Sequence, residues 1–423
     1  MKSPRNVTLA VILVAAISGC ASSSSTQGVG NGGAGGKLVV WDWKSGDKAS
    51  EAYLTLAKAR FAALHPNVSV EFVSKPFDQY YAWLDGAIKS GKGPDIAMFN
   101  GGGELRARTA SLLPVDPHSI DASQRLTGWA AFTKSGTVYA APVTLQGHPI
   151  YYNQALYRKA GLDPTHPPTT WDAFLHDCAV IKKVTSVSCF SAGNKEGNGI
   201  QFFMSGLGSG ILTPQEYDNW IAGRRDWTST HVKEIFRLWK QVNDQGLNLR
   251  NPTTEPLFFD AITDFKGGKA SNMIGLMSDV GHWKDFGSSL GTQNVGVMIS
   301  PVITPGARPS LPFDGGIGYG VTTWTKEPKL ATDLLASLVA TEPLHAFFID
   351  AGAIVSDTTI DTSVGGPAVA QVVGDLSTGK PALHVALSAK TLALMGSLSQ
   401  QLLTGKVTVD AMVEQLAATD TGN

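Results

Sequence analysis

The chain has 423 residues and a formal net charge of −1, with 34 Lys and Arg against 35 Asp and Glu. That balance excludes a nucleic-acid-binding surface built on excess basic charge and offers no basic patch for anionic lipid. The length gives room for two domains with a large buried core.

Lys2 and Arg5 precede an apolar run over residues 7–17, and Ser18-Gly19-Cys20 follows. This is the layout of a secretory signal with small residues before the cut. The run is about half of the roughly 20 residues needed to span a bilayer, so it reads as a signal and not as a membrane helix. Ile17-Ser18-Gly19-Cys20 resembles a bacterial lipobox, which implies a signal peptide over 1–19, diacylation of Cys20 and a lipid-anchored, extracytoplasmic location on the cell membrane. Residues 21–36 are rich in Ser and Gly and read, with Cys20, as a flexible tether (20–36) reaching roughly 20–25 Å. Subtracting Lys2 and Arg5 from −1 leaves the remainder at −3.

With Cys20 assigned to lipid, Cys178 and Cys189 remain as an even pair in an exported chain, where disulfides persist. A bridge between them is the leading reading and two separately buried thiols the alternative. No metal ligand spacing accompanies them, and neither metal nor cofactor is expected.

Lys37-Leu-Val-Val-Trp41 reads as a first strand, and Tyr53, Leu56, Ala57, Phe61 and Leu64 recur at helical spacing until His65-Pro66-Asn67 breaks the pattern. Val68, Val70 and Phe72 alternate as a second strand. Tyr81, Leu84 and Ile88 mark a helix, and Pro94-Asp95-Ile-Ala-Met-Phe99 supplies a third strand. Strands alternating with helices predict a parallel α/β sheet, whose ligand crevice lies beyond the strands' carboxyl ends. Those ends carry Asp42-Trp43-Lys44, Lys75-Pro76-Phe77 and Asn100-Gly101-Gly102-Gly103. The middle of the chain is mostly helical, strand-like stretches return at 272–277, 295–299 and 318–324, and the tail from Thr332 is helical again. A sheet resumed that late implies lobes built from discontinuous segments.

Longer motifs carry a resemblance. They are Ser90-Gly91-Lys92-Gly93-Pro94-Asp95-Ile96; Val138-Tyr139-Ala-Ala-Pro142 with Ile150-Tyr151-Tyr152-Asn153; Lys159-Ala160-Gly161-Leu162-Asp163 with Pro167-Pro168-Thr169-Thr170-Trp171-Asp172; Phe265-Lys266-Gly267-Gly268-Lys269-Ala270; Pro312-Phe313-Asp314-Gly315-Gly316; and Leu403-Thr404-Gly405-Lys406-Val407. In order and content they resemble the family 1 extracellular solute-binding proteins of ABC importers, the group that includes maltose- and oligosaccharide-binding proteins. Where that family often has Ala-Met after Gly-Lys-Ala, this chain has Ser271-Asn272-Met273, which shifts the local alignment by about a residue.

The resemblance implies a type II periplasmic-binding-protein-like α/β fold, with two discontinuous lobes joined by a hinge of three crossings. The lobes are expected over 37–144 plus 277–320 and over 145–276 plus 321–423, with crossings near 144–147, 274–279 and 318–324. The implied function is capture of a sugar, mono- or oligosaccharide, by a monomeric binder that delivers it to ABC permease subunits with a cytoplasmic ATPase.

A sugar site needs aromatic platforms for C–H faces and planar polar groups for hydroxyls. The candidates are Asp42, Trp43, Phe77, Asn100, Gly101, Gln146, Asn198, Trp220, Asp279, Trp283, Asp314, Gly315 and Gly316. Asp279 with Trp283 and Asp314 with its glycines lead, and the consecutive glycines after Asn100 suggest close backbone approach to a ligand. Asn194, Glu196 and Gln201 form a polar cluster beside Asn198. Two competing readings stand: the same importer role for a glycerophosphodiester, polyamine or peptide, and a secreted glycosidase using Asp279 and Asp314 as its carboxylates. No hydrolase motif accompanies those carboxylates.

Overall fold

The computed structural model describes residues 36–278 and 281–420. The signal, Cys20 and the tether, together with Asp279, lie outside the described residues.

The first lobe begins as the alternation implies. Strand β1 (Lys37–Asp42) turns Leu38, Val40 and Asp42 inward, and helix α1 (Glu51–Leu64) buries Tyr53, Leu54, Ala57 and Phe61. Strand β2 (Ser69–Ser74) pairs with β1 in parallel; helix α2 (Phe77–Ser90) starts after Pro76, with Asp78 in its first turn, and ends at Gly91 with φ +61°. An acidic first turn and a left-handed glycine at the end are how a helix of this length is bounded. Strand β3 (Ile96–Asn100) pairs on the other side of β1, so the carboxyl ends of all three strands meet at one edge. Strand Ile317–Val321 lies antiparallel beside β3, and Ala141–Pro142 closes the five-stranded sheet.

The second sheet runs in the order Val295–Met298, Ile150–Asn153, Ala270–Ile274, Ser188–Phe190. Cys178, on the helix Trp171–Thr185, is disulfide-bonded to Cys189 on its edge strand. Thr170 caps that helix by accepting from Ala173 N.

These pairings redraw the expected lobe limits. The strand Val295–Met298, expected in the first lobe, pairs with Ile150–Asn153 in the second sheet. Helices Pro328–Leu338 and Thr341–Ala351, expected in the second lobe, pack on α1: Tyr53 stacks on Phe347 at 4.8 Å, and its hydroxyl donates to Leu338 O at 3.0 Å. A short apolar strand suits either sheet equally, so pairing had to be decided by contacts far along the chain.

The passages between the sheets move accordingly. The first stays at 143–147. The others lie at 312–316 and 352–356, because 318–321 belongs to the first sheet and the chain after 274 stays with the second through helix His282–Leu290. The three passages hydrogen-bond to one another: Phe313–Gly315 pairs antiparallel with Leu145–Gly147, Leu145 N donates to Ile354 O at 2.7 Å, and Ser356 N donates to Val143 O at 2.9 Å.

Candidate functional site

At the carboxyl edge of the first sheet, Trp43 follows β1 half-buried. Its ring lies 4.7 Å from Tyr80, 5.3 Å from Phe77 and 6.3 Å from Tyr81, each at a steep angle. Phe77 opens α2 and remains 57% exposed. Tyr81 links this cluster to β3 by accepting from Asn100 N at 2.9 Å, and the Arg108 guanidinium lies 4.5 Å above its ring. Arg108 is itself held by Asp85 at 2.7 and 3.0 Å and by Glu104 at 2.5 Å.

Asp42 faces the other way. It is fully buried; one carboxylate oxygen accepts from Lys44 N at 2.7 Å and Ser45 N at 2.5 Å, and burial raises its pKa. The carboxylate fastens the turn that presents Trp43, so the expected ligand contact becomes an architectural one.

The 101–103 glycines serve packing. Gly101 N donates to Gly316 O at 2.8 Å and Gly102 N to Ala131 O at 2.7 Å, so these N–H groups are taken. A Cβ on Gly101 would lie 2.5 Å from Gly315 O and 2.6 Å from Ala131 Cβ. Gly315 and Gly316 are tight in the same way: Cβ atoms there would meet Gly128 O at 2.4 Å and Thr144 Oγ1 at 2.5 Å.

Gln146 and Asp314 stand directly opposite in the paired passages, which places their side chains on one face of that ribbon. Asp314 is buried and accepts from Gly315 N at 2.8 Å; burial pushes its carboxyl up to about 6, an effect that N–H bond and the charge of Arg106 only partly offset. Arg106 reaches across to the second lobe, where Nη2 donates to Val385 O at 2.6 Å.

The second lobe supplies apolar faces at the ends of its own strands. Phe202, on the helix Gly199–Ile211, meets His148 edge-on at 4.5 Å and Phe258 at 5.9 Å; Phe258 is 39% exposed and Phe259 73% exposed. Aromatic rings thus stand on each lobe, and a polar pair on the strands between the two sheets.

Residues 44–343 match the family model of the bacterial extracellular solute-binding proteins. The chain belongs to this family. Solved structures with the same fold include a chitin oligosaccharide binding protein, 20% identical at a TM-score of 0.80 over 92% of this chain and 98% of the other. Another is maltose-bound MalE3 of T. maritima, 18% identical at a TM-score of 0.74 over 91% and 98%. A curated relative, the sn-glycerol-3-phosphate-binding periplasmic protein UgpB of Yersinia pestis bv. Antiqua (strain Antiqua), is 27% identical over 145 residues, 32% of this chain and 33% of the relative. The alignment thus spans about a third of that relative.

In this solute-binding protein Trp43, Phe77, Asn100 and Gly101 gather on the first-lobe edge, with Gln146, Asp314, Gly315 and Gly316 on the adjoining passages. Asn198 is half-buried at the start of the helix Gly199–Ile211, and its side chain makes no capping bond. Two tryptophans are elsewhere. Trp220 is in the core, its indole N–H donating to Leu383 O at 3.0 Å and its ring 4.8 Å from Trp227. Trp283 is buried, donates to Gly352 O at 2.7 Å and stacks on Phe348 at 5.5 Å, which makes it a fastener of the third passage. In the polar cluster, Asn194 is fully buried, bonded to Ser399 Oγ and Ile200 N, and Glu196 accepts from Leu257 N.

Sequence reasoning missed Tyr81, Arg106, Phe202, Phe258 and Phe259.

Proposed function

We propose that this solute-binding protein captures a neutral mono- or oligosaccharide between its lobes and delivers it to the permease of an ABC importer. The observation that carries the reading is the pairing of exposed aromatic rings, Phe77 beside Trp43 and Phe258 with Phe259, with the polar pair Gln146 and Asp314 on the passages between the sheets. Rings suit the C–H faces of a sugar, and a carboxamide next to a carboxylate suits its hydroxyls. The sugars named for the solved structures of the same fold support this choice. Closure is a bend of the three passages, selected by a ligand that touches both lobes. Cys20 carries the lipid anchor that keeps the binder at the extracytoplasmic face of the membrane near its permease, and metabolic labelling with palmitate checks it.

The Yersinia relative favours a second reading, a glycerol phosphate. A phosphate calls for unengaged cationic donors. Here Arg108 is committed to Asp85 and Glu104, and the charge of Arg106 is opposed by Asp314, which supports the neutral sugar. A thermal-shift screen against a carbohydrate library with sn-glycerol 3-phosphate included decides between them: a ligand at 100 times its Kd stabilises by about 2.7 kcal/mol. Stabilisation by the phosphate and by none of the sugars would reject the sugar reading.

A further inference from the structure

Two buried imidazoles meet behind the first passage. His148 follows Gly147 directly, is fully buried, and has no hydrogen-bond partner for either ring nitrogen among the described residues. Its ring lies 4.9 Å from that of His384 at 88°. His384 belongs to the short turn Leu383–Ala386, where its Nδ1 shares a hydrogen bond with Ser205 Oγ at 2.8 Å and its backbone N–H donates to the same hydroxyl at 3.3 Å. The same turn offers Val385 O to Arg106 of the first lobe, and a Cβ on Gly102 would lie 2.7 Å from Val385 Cγ1. The turn is thus held from below by histidines of the second lobe and gripped from above by the first.

We propose that His148 and His384 make this turn an acid-released latch between the lobes: protonation of either ring lifts the Leu383–Ala386 turn from its place, frees Arg106, and lets the cleft open. A charged imidazole needs acceptors, and neither ring nitrogen of His148 has one among the described residues. Two rings 4.9 Å apart cannot both carry charge in a dry interior.

The surroundings give the cation no help. The titratable groups facing His148 are His384 and His282, both of which disfavour its positive charge. Around the turn, Arg106 donates to Val385 O, and Arg225, whose charge is matched by the Asp420 carboxylate at 2.6 and 2.8 Å, donates to Ala386 O at 3.3 Å. Asp314 acts on Arg106 and not on the rings.

Burial holds both imidazoles below the ordinary value of 6.5, His384 down to about 4. The sign follows: the closed form keeps its full stability above about pH 6.5, and each ring costs it about tenfold per pH unit as the pH falls from there toward about 4. The latch goes beyond the sugar reading, since opening is measured with no solute present.

The test is small-angle scattering with far-ultraviolet circular dichroism on the purified chain between pH 7.5 and 4.5, without added solute. The parent is expected to expand with a midpoint between pH 4.5 and 6.5 while its ellipticity holds. The double variant of His148→Phe with His384→Asn, in which Asn keeps a polar partner for Ser205, is expected to stay compact across the range, and His384→Asn alone to expand less steeply with pH than the parent. Arg106→Ala is expected to be expanded already at pH 7.5. A parent that stays compact down to pH 4.5, expansion of the double variant at the parent's midpoint, loss of ellipticity together with expansion in the parent, or a compact Arg106→Ala at pH 7.5 would each overturn the latch.

Discussion

Replacing Trp283 by Ala separates a ligand contact from a fastener. The side chain is 8% exposed, stacks on Phe348 at 5.5 Å and donates its indole N–H to Gly352 O at 2.7 Å. Truncating a buried tryptophan costs about 3–5 kcal/mol, including the cavity it leaves. The freed carbonyl adds about 1 kcal/mol where water cannot reach it. At roughly 2–4 °C per kcal/mol for a lobe of this size, the melting temperature should fall by about 8–24 °C. Scanning calorimetry reads that shift, and isothermal titration with the sugar found by the screen reads affinity, which is expected to change less than threefold at 15 °C. Trp283→Phe keeps the stack and loses only the hydrogen bond, so it should recover more than half of the lost stability. A melting temperature within 2 °C of the parent together with a tenfold loss of affinity in the alanine variant would refute this reasoning and return Trp283 to the binding site.

Phe77→Ala should leave the melting temperature within about 2 °C, because the ring is 57% exposed, yet weaken sugar binding at least fivefold by titration. Asp314 is held near 6 against an ordinary 3.8, so the folded chain binds more protons than the unfolded one between those values and loses stability as the pH rises through them. Asp314→Asn should remove that slope, on the order of 3 kcal/mol between pH 4 and 6.5, in urea melts compared with the parent. Replacing both Cys178 and Cys189 by Ala opens a short loop and should cost roughly 3 kcal/mol, read by the same melts under oxidising conditions.

The opening of the fold was legible because its signals are local. Tyr53, Ala57 and Phe61 are buried at the spacing the sequence shows, and the strands at 37–42, 69–74 and 96–100 lie close to where alternation put them. The exposure of Leu64 could not be read from spacing, since the last turn of α1 runs past the sheet it covers. Partners far along the chain were out of reach. Val295–Met298 chose the second sheet through Ile150–Asn153, and Trp283 found Phe348 and Gly352 more than sixty positions away. At the carboxyl edge of the first sheet, position after a strand put Trp43 and Phe77 where their rings meet, whereas Asp42 turned inward because two backbone N–H groups claimed its carboxylate.

The lacing of 143–147 to 312–316 on one side and to 352–356 on the other has a mechanical consequence. Three separate threads would let the two bodies swing, twist and slide past each other. Threads joined edge to edge form a strip, which flexes easily across its width and resists shear, because sliding would break Leu145 N to Ile354 O and the pairing of Phe313–Gly315 with Leu145–Gly147. Most of the orientational entropy of setting one lobe against the other is therefore lost when the chain folds, and closure needs free energy along a single coordinate only.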